Sequence, residues 1–311
     1  MDDDLLAVRV AELYYDEAKT QDEIGALLKI SRWKVGRLLT QARERGIVRI
    51  EIVHPRARKL GLERELTERF GLRDAIVVPV PDGEDAILDR VAQAAADHLA
   101  ALRPVPRTLA VSWGRTLTAI ADALPEGWAS GVDVVQLNGG VSLSRRSGGA
   151  AGAAMTIAQR ASGQATLLPS PAILERVETK RAIEADRTVA GILDQAAAAQ
   201  TYLYSAGPAD ASSAHVENGY LKTSDVEELA RRGAVGDVLG RYIDADGNIV
   251  DPELDARTVG VGLDRLRAAD QAIFVTAGTA KHHIARTVVA SGLCSVLVTD
   301  ETTVRALLEE R

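Results

Sequence analysis

One cysteine occurs in 311 residues, and that scarcity removes two classes of explanation at once. Cys294 can form no internal disulfide and cannot build a multi-thiolate zinc site. Its neighbours Leu293, Val296 and Leu297 are apolar, which predicts buried packing. Long apolar runs are missing as well. No stretch reaches the roughly 18 residues of a membrane-spanning helix. The opening Met1-Asp2-Asp3-Asp4 is acidic where an export signal would be basic, so the expectation is a cytoplasmic protein. Neither a Walker A sequence nor a full Gly-x-Gly-x-x-Gly fingerprint appears. The five histidines, His54, His98, His215, His282 and His283, lack zinc-ligand spacing. No metal and no cofactor is therefore expected.

What is present is unevenly charged. The formal net charge of −7 argues, taken alone, against a nucleic-acid partner. Between Lys19 and Lys59, however, eleven Lys and Arg stand against Asp22, Glu23, Glu44 and Glu51. That segment carries about +7 and the remainder about −14. A basic segment on an acidic body is the asymmetry of a chain with one module that meets phosphates. The length suits one small and one large domain.

The basic segment is patterned as helices. Leu6, Val10, Leu13 and Tyr14 give Leu5–Tyr15 a helical apolar spacing. Thr20 followed by Glu23 is a capping box and opens a second helix ending near Leu28. Ser31 caps a third, with Val35, Leu38, Leu39 and Ala42 on its apolar face, and Gly46 stops it. Alternation over Ile47–Val53 predicts a short strand, a wing. His54-Pro55 with Arg56, Arg58 and Lys59 marks a linker, dividing the chain into residues 1–54 and 55–311.

Gln21–Ala42 has the spacing of a helix-turn-helix. Gly25 is small where the two helices would cross, and Ile24, Leu28, Val35 and Leu38 would pack them together. Lys29 stands where a left-handed glycine is usual, at a cost of about 1 kcal/mol. Ser31 would begin the helix that enters the major groove, presenting Arg32, Trp33, Lys34 and Arg37. Early residues of such a helix reach base edges, while cations elsewhere hold phosphates. Arg32 and Lys34 are thus candidates for base contacts, and Arg37, Arg43 and Arg45 for phosphate contacts. Trp33 has two readings: contact with a thymine methyl or sugar, or packing on Arg37 and the rim of the domain.

The larger region reads differently. Strand-like runs occur at Ala75–Val80, Leu109–Ser112, Val132–Leu137, Thr201–Ser205, Ala272–Thr276 and Val296–Thr299. Helical stretches, including Ala86–Leu102, Ala153–Ala161 and Val177–Ala199, separate most of them. Such alternation predicts an α/β domain, a mostly parallel sheet covered on both faces. Ser142–Gly152, rich in Ser, Arg and Gly, reads as a mobile loop. Sheets of this class bind ligands at the carboxyl ends of strands, where helix N-termini offer free N–H groups. Three strand ends qualify: Ser112-Trp113-Gly114-Arg115-Thr116, Asn138-Gly139-Gly140, and Thr276 to His283. In the last, Thr279 would cap a helix with Ile284 and Val288 inward. Lys281 then lies in a first turn where the helix dipole disfavours a cation, a penalty that an anionic ligand would reverse. A solvated lysine is the alternative.

Taken in order, these motifs resemble the SorC family of sugar-responsive transcriptional regulators over essentially the whole chain. The matching segments are Gln21–Leu39, Ala42–Ile50, Ser112–Thr116, Leu137–Gly140, Gly233–Asp237, Ala277–Lys281 and Leu297–Glu301. The resemblance implies a Rossmann-like effector domain similar to phosphosugar isomerases and deaminases, behind a (winged) helix-turn-helix. It also implies operator DNA and a sugar, polyol or phosphosugar effector as partners, and assembly as a homo-oligomer, dimer or tetramer. By motif, Gly114, Arg115 and Thr116 would hold a phosphate or sugar hydroxyls, beside donors such as Ser112. Asn138, Gly139 and Gly140 would border the ligand, and Lys281 would bind its charge. Two features depart from the family pattern: Ser205-Ala206-Gly207-Pro208 lacks the usual Gly-Ile-Gly, and Arg145 and Arg146 make the Ser142–Gly152 loop unusually basic. The competing reading is a sugar-phosphate isomerase or deaminase with a fused head. Asp264, Asp133 and His282 are its conceivable acid–base groups, but they form no evident constellation, and the expectation is a protein that is not an enzyme.

Overall fold

The computed structural model of the chain describes residues 3–48, 50, 58–80, 84–140 and 149–309. It divides into two compact units, Met1–His54 and Pro55–Arg311. The first holds three helices, α1 (Asp3–Tyr15), α2 (Gln21–Leu28) and α3 (Arg32–Glu44). Its core is Leu6, Val10, Leu13, Ile24, Val35, Leu38, Leu39 and Ala42, the residues whose 3.6-residue spacing selects one face of each helix. Tyr14 departs from the expected stripe. It is 37% exposed and meets Tyr15 edge-on at 5.0 Å, because a residue next to Leu13 points about 100° away from it.

The caps explain where these helices begin and end. Thr20 accepts from the Glu23 N–H while Glu23 accepts from the Thr20 N–H at 2.8 Å. Ser31 Oγ accepts from the Lys34 N–H at 3.2 Å. Lys29 closes α2 at φ 55°, ψ 42°, with its N–H donating to the Gly25 carbonyl. A Cβ on Gly25 would lie 2.9 Å from the Ile30 carbonyl oxygen. The glycine is thus demanded by the turn between α2 and α3 more than by a crossing of the helices. Gly46, at φ 72°, ends the α3 region. The strand expected over Ile47–Val53 falls largely outside the described residues, though the Val48 N–H donates to the Ala42 carbonyl at 3.0 Å.

The second unit is an α/β domain. Seven strands are parallel throughout: β1 (Asp74–Val78), β2 (Thr108–Val111), β3 (Asp133–Gln136), β4 (Ala165–Thr166), β5 (Thr201–Tyr204), β9 (Gln271–Val275) and β10 (Val296–Asp300). Their order is β1-β10-β9-β5-β2-β3-β4. Alternate residues feed two separate cores. Ile76, Leu109, Val111, Leu203, Ile273 and Val298 face the helices Glu84–Ala101, Arg115–Ala123 and Gly149–Arg160. Ala75, Val77, Tyr202, Tyr204, Phe274 and Leu297 face the other way, against Leu66, Ile284, Val288 and Leu307. Burial on both faces is why the strands read as unbroken apolar runs. Cys294 lies in this second core, where burial pushes its thiol up to about 12.

Several expectations need correcting. The single helix over Val177–Ala199 is two, Val177–Ala185 and Arg187–Ala197. Asp186 breaks it in an extended conformation and caps the second piece by accepting from the Thr188 and Val189 N–H groups, the competition between side chain and helix typical of Asp. The helix Gly149–Arg160 takes the end of the Ser142–Gly152 loop; the rest of that loop lies outside the described residues. A second sheet was not foreseen: β6 (Ala206–Pro208), β7 (Gly236–Val238) and β8 (Arg241–Ile243), antiparallel. Its strands have three residues each, too few to show a period of two. Arg58 and Lys59, read as linker, are anchored to the second unit. Arg58 pairs with buried Glu63 at 2.8 Å, and Lys59 with Glu301 at 2.8 Å.

Candidate functional site

Parallel strands present a ligand site where neighbouring connections leave in opposite directions. Here β2 leads on to β3 at one side, and β5, its neighbour, leads on to β9 and β10 at the other. At these carboxyl ends lies a cavity of about 310 Å³. Ser112, Gly114, Arg115, Thr116, Asn138, Ser205, Asp237, His215 and Lys281 are among its lining. Gly114, at φ 127°, precedes the helix Arg115–Ala123 without any side-chain cap, so that helix start has N–H groups left for a ligand.

Lys281 arrives on a 3-10 turn, Thr279–Lys281, after Gly278 at φ 87°. Its ammonium donates to Ser205 Oγ at 3.2 Å and Thr116 Oγ1 at 3.4 Å. Burial lowers its pKa to about 8; Arg115 acts in the same direction, and Asp237 opposes both. It therefore stays largely charged at neutral pH, held by two hydroxyls rather than by a carboxylate. Asp300, at the end of β10, fixes this loop by accepting from the Gly278 N–H at 3.1 Å.

The remaining polar lining is chemically different. Asp237, 5% exposed, accepts from the Gly240 N–H at 3.0 Å. The β7–β8 turn that creates this contact has Leu239 at φ 53° and Gly240 at φ 84°. A type I′ hairpin has that pair of signs, and it turns buried Leu239 into the cavity lining. His215 Nδ1 lies 3.6 Å from Asp237 Oδ1, and its ring stands edge-on to Trp113 at 5.8 Å. Four buried polar atoms of the lining make no hydrogen bond: Ser112 Oγ, Asn138 Oδ1 and both ring nitrogens of His215. Unpaired buried groups are costly, and most native ones have partners. The arrangement suits a ligand that brings hydrogen bonds of its own, with an anion at the Lys281 end.

In the first unit, Trp33 is 78% exposed, with the Arg37 guanidinium 5.9 Å from its ring centroid. The structure thus has the packing on Arg37 that was one of the two readings of Trp33. Arg32 pairs with Asp22 at 3.5 Å, and Arg45 with Asp4. Arg43 is exposed and Lys34 half-buried.

A family model described as "Putative sugar-binding domain" matches residues 54–309. The deoxyribonucleoside regulator of Bacillus subtilis (strain 168) is 32% identical, over 98% of this chain and 97% of its own. The transcriptional regulator LsrR of Klebsiella pneumoniae subsp. pneumoniae is 30% identical, over 97% and 92%. The crystal structure of the full-length sorbitol operon regulator SorC from Klebsiella pneumoniae superposes with a TM-score of 0.73 at 28% identity, covering 99% of this chain and 100% of that one. The chain belongs to the SorC family of sugar-binding transcriptional regulators.

Within this SorC-family chain, the structure gathers six of the eight residues singled out for an effector: Ser112, Gly114, Arg115, Thr116, Asn138 and Lys281. Gly139 and Gly140 do not line the cavity. A Cβ on Gly139 would fall 2.2 Å from the Pro171 carbonyl oxygen. The Gly139 N–H donates to Val259, the Gly140 N–H to Ser170, and the Gly139 carbonyl accepts from Trp113 Nε1 at 2.7 Å. Gly139 serves close backbone approach, and through Trp113 it shapes the cavity at second hand. Thr279 is no helix cap; the helix His282–Ala290 follows Lys281 with no side-chain cap.

Sequence reasoning missed Ser205, His215 and Asp237 as site residues. Ser205 was legible as the end of a strand. Asp237 and His215 reach the cavity only through the second sheet and its loops, for which no periodic signal exists. The acid–base candidates of the enzyme reading do not assemble: Asp264 is 80% exposed, Asp133 opens β3 at its opposite end, and His282 is absent from the lining. Among the described residues, no group of His, Cys, Asp and Glu could hold a metal ion, and no helix is long and apolar enough to cross a membrane.

Proposed function

We propose that this regulator controls genes of carbohydrate or polyol metabolism, with operator binding set by a sugar, polyol or sugar-phosphate effector in the cavity. The observation that carries this reading is the Lys281 ammonium, buried beside Arg115 and held only by hydroxyls. Two cations facing one carboxylate leave a demand for an anion. The α2–α3 pair is the helix-turn-helix, and residues 1–54 the DNA-binding domain. Arg32 and Lys34 face bases, Trp33 packs on Arg37 beside them with its exposed ring open to a thymine methyl or sugar, Ser31 fixes the start of the helix, and Arg37 and Arg43 meet phosphates. The Arg32–Asp22 pair is exposed on both sides, so exchanging Asp22 for a base edge costs little. Residues 55–311 form the effector and oligomerisation domain, akin in fold to phosphosugar isomerases and deaminases. A cytoplasmic homo-oligomer, dimer or tetramer, would present two heads to half-sites about one helical turn apart. The effector acts by differential affinity for DNA-competent and incompetent forms.

The test is fluorescence anisotropy on the protein's own upstream DNA, with and without sugars, polyols and their phosphates. One compound is expected to release or tighten the complex, and Arg32→Ala to relax sequence preference. Salt-sensitive binding that no compound alters would sink the effector reading. A second reading, a sugar-phosphate isomerase or deaminase, is favoured by the placing of His215 and Asp237 in the same cavity as Lys281. Incubation with pooled sugar phosphates decides between them; turnover would support the enzyme.

A further inference from the structure

The cavity lining carries charge of both signs. Among the described residues that line it, the fixed cations are Arg115 and Lys281, both toward the start of the helix Arg115–Ala123, and the sole carboxylate is Asp237. Two cations match the charge of one phosphate dianion, and no further fixed cation among those residues stands ready for a second.

His215 sits beside Asp237 in an unusual state for a buried imidazole. It is 3% exposed, and neither ring nitrogen makes a hydrogen bond. Its place is nevertheless tightly specified. Trp113, Tyr220 and Tyr242 surround the ring with centroids at 5.8, 6.2 and 6.0 Å. Tyr242 is tied in turn to Ser213 Oγ at 2.9 Å, and the His215 N–H donates to the same hydroxyl at 3.3 Å. A Cβ on Gly240 would come within 3.4 Å of His215 Nε2, so glycine there leaves room for the ring. If packing alone were at stake, a leucine would fill this aromatic box without orphaned nitrogens. The gap of 3.6 Å to Asp237 is longer than a hydrogen bond.

We propose that His215 and Asp237 form the specificity-determining pair of the effector site, reading the uncharged hydroxyls of a ligand whose single phosphate lies at Arg115 and Lys281. Asp237 accepts from a hydroxyl, and the imidazole, which can donate at one nitrogen and accept at the other, completes the set with Asn138 Oδ1. A second phosphate is rejected by the carboxylate. The inference rests on the reading of this cavity as the effector site.

Isothermal titration calorimetry on the full chain tests it, with inorganic phosphate, erythritol 4-phosphate, ribose 5-phosphate, sorbitol 6-phosphate, fructose 6-phosphate and fructose 1,6-bisphosphate. At least one monophosphate is expected to bind about tenfold or more tightly than inorganic phosphate, and fructose 6-phosphate more tightly than the bisphosphate. His215→Leu should collapse the preference for that monophosphate over inorganic phosphate by about tenfold, because buried polar groups reject partners that leave them unpaired. His215→Gln, which keeps a donor and an acceptor, should retain part of it and guards against a packing artefact. Asp237→Asn should shift the ratio of bisphosphate to monophosphate affinity toward the bisphosphate. Monophosphate binding with both ratios unchanged in the variants would overturn the pair's role and leave the effector site standing. Tight bisphosphate binding by the unaltered protein would also overturn it. Binding of no phosphate compound at all, inorganic phosphate included, would remove the site reading and the inference together.

Discussion

The two units solve the problem of placing functional side chains in opposite ways. In the first, Ser31, Arg32, Trp33, Lys34, Arg37 and Arg43 lie on or beside a single helix, and most of them are exposed. Helical geometry alone sets their mutual positions. In the second, Ser112, Asn138, Ser205, Asp237 and Lys281 come from the ends of different elements up to 169 positions apart in the chain, and several are buried. Only the sheet brings them together. A surface site can therefore tolerate loss of local stability, whereas an assembled one depends on every backbone contact that sets the strand ends.

Gly139→Ala is the sharpest way to test that dependence. Its Cβ would collide with the Pro171 carbonyl, so the second unit should lose about 3 kcal/mol in urea unfolding. Ligand affinity should fall with it although Gly139 lines no part of the cavity. Unchanged stability would mean that the backbone approach seen here is not rigid.

Lys281→Met comes next. It should weaken phosphate-compound binding about 100-fold, the scale of a lost charged hydrogen-bond set. The same change should raise the thermal midpoint of the ligand-free protein at pH 7. The sign follows from burial: the folded-state pKa of about 8 lies below the ordinary 10.5. Between those values the unfolded chain binds more protons, so stability rises with pH from about 8 to 10.5. Below pH 8 the full cost of the buried ammonium is present. Phosphate binding should run the other way, weakening above pH 8 as Lys281, acted on by Arg115 and Asp237, loses its proton. A midpoint that falls in Lys281→Met would show the lysine to be stabilising and break this account.

The smallest effects are expected in the first unit. Ser31→Ala removes the cap of α3 and should cost about 1 kcal/mol, read by circular dichroism of the residues 1–54 transition within the full chain. Lys29→Gly should gain about 0.5–1 kcal/mol, because the left-handed conformation at φ 55° carries little penalty for glycine. If Lys29→Gly destabilised the head, Lys29 would have to make a contact that outweighs its strain.

The head was legible because its rules are local. Capping at Thr20 and Ser31, the left-handed Lys29 and the stop at Gly46 each involve residues within about one helical turn. Six of the seven parallel strands were legible from their apolar runs, all but the two-residue β4, and Ser112 to Thr116 and Lys281 from where those runs stop. The break at Asp186 was lost among good helix formers on either side. The three-residue strands β6, β7 and β8 carried no pattern at all.

From the sequence alone came the division of charge, three helices with caps on two of them, a parallel sheet buried on both faces, and most of the cationic part of the cavity. Those features follow from periodicity, capping and net charge, which act over a few residues or over none. Tertiary structure alone decided that Gly139 is closely packed against Pro171 and that Asp237 and His215 line the cavity. Close approach and burial are relations between segments far apart in the chain, and no local pattern of residues encodes the distance between them.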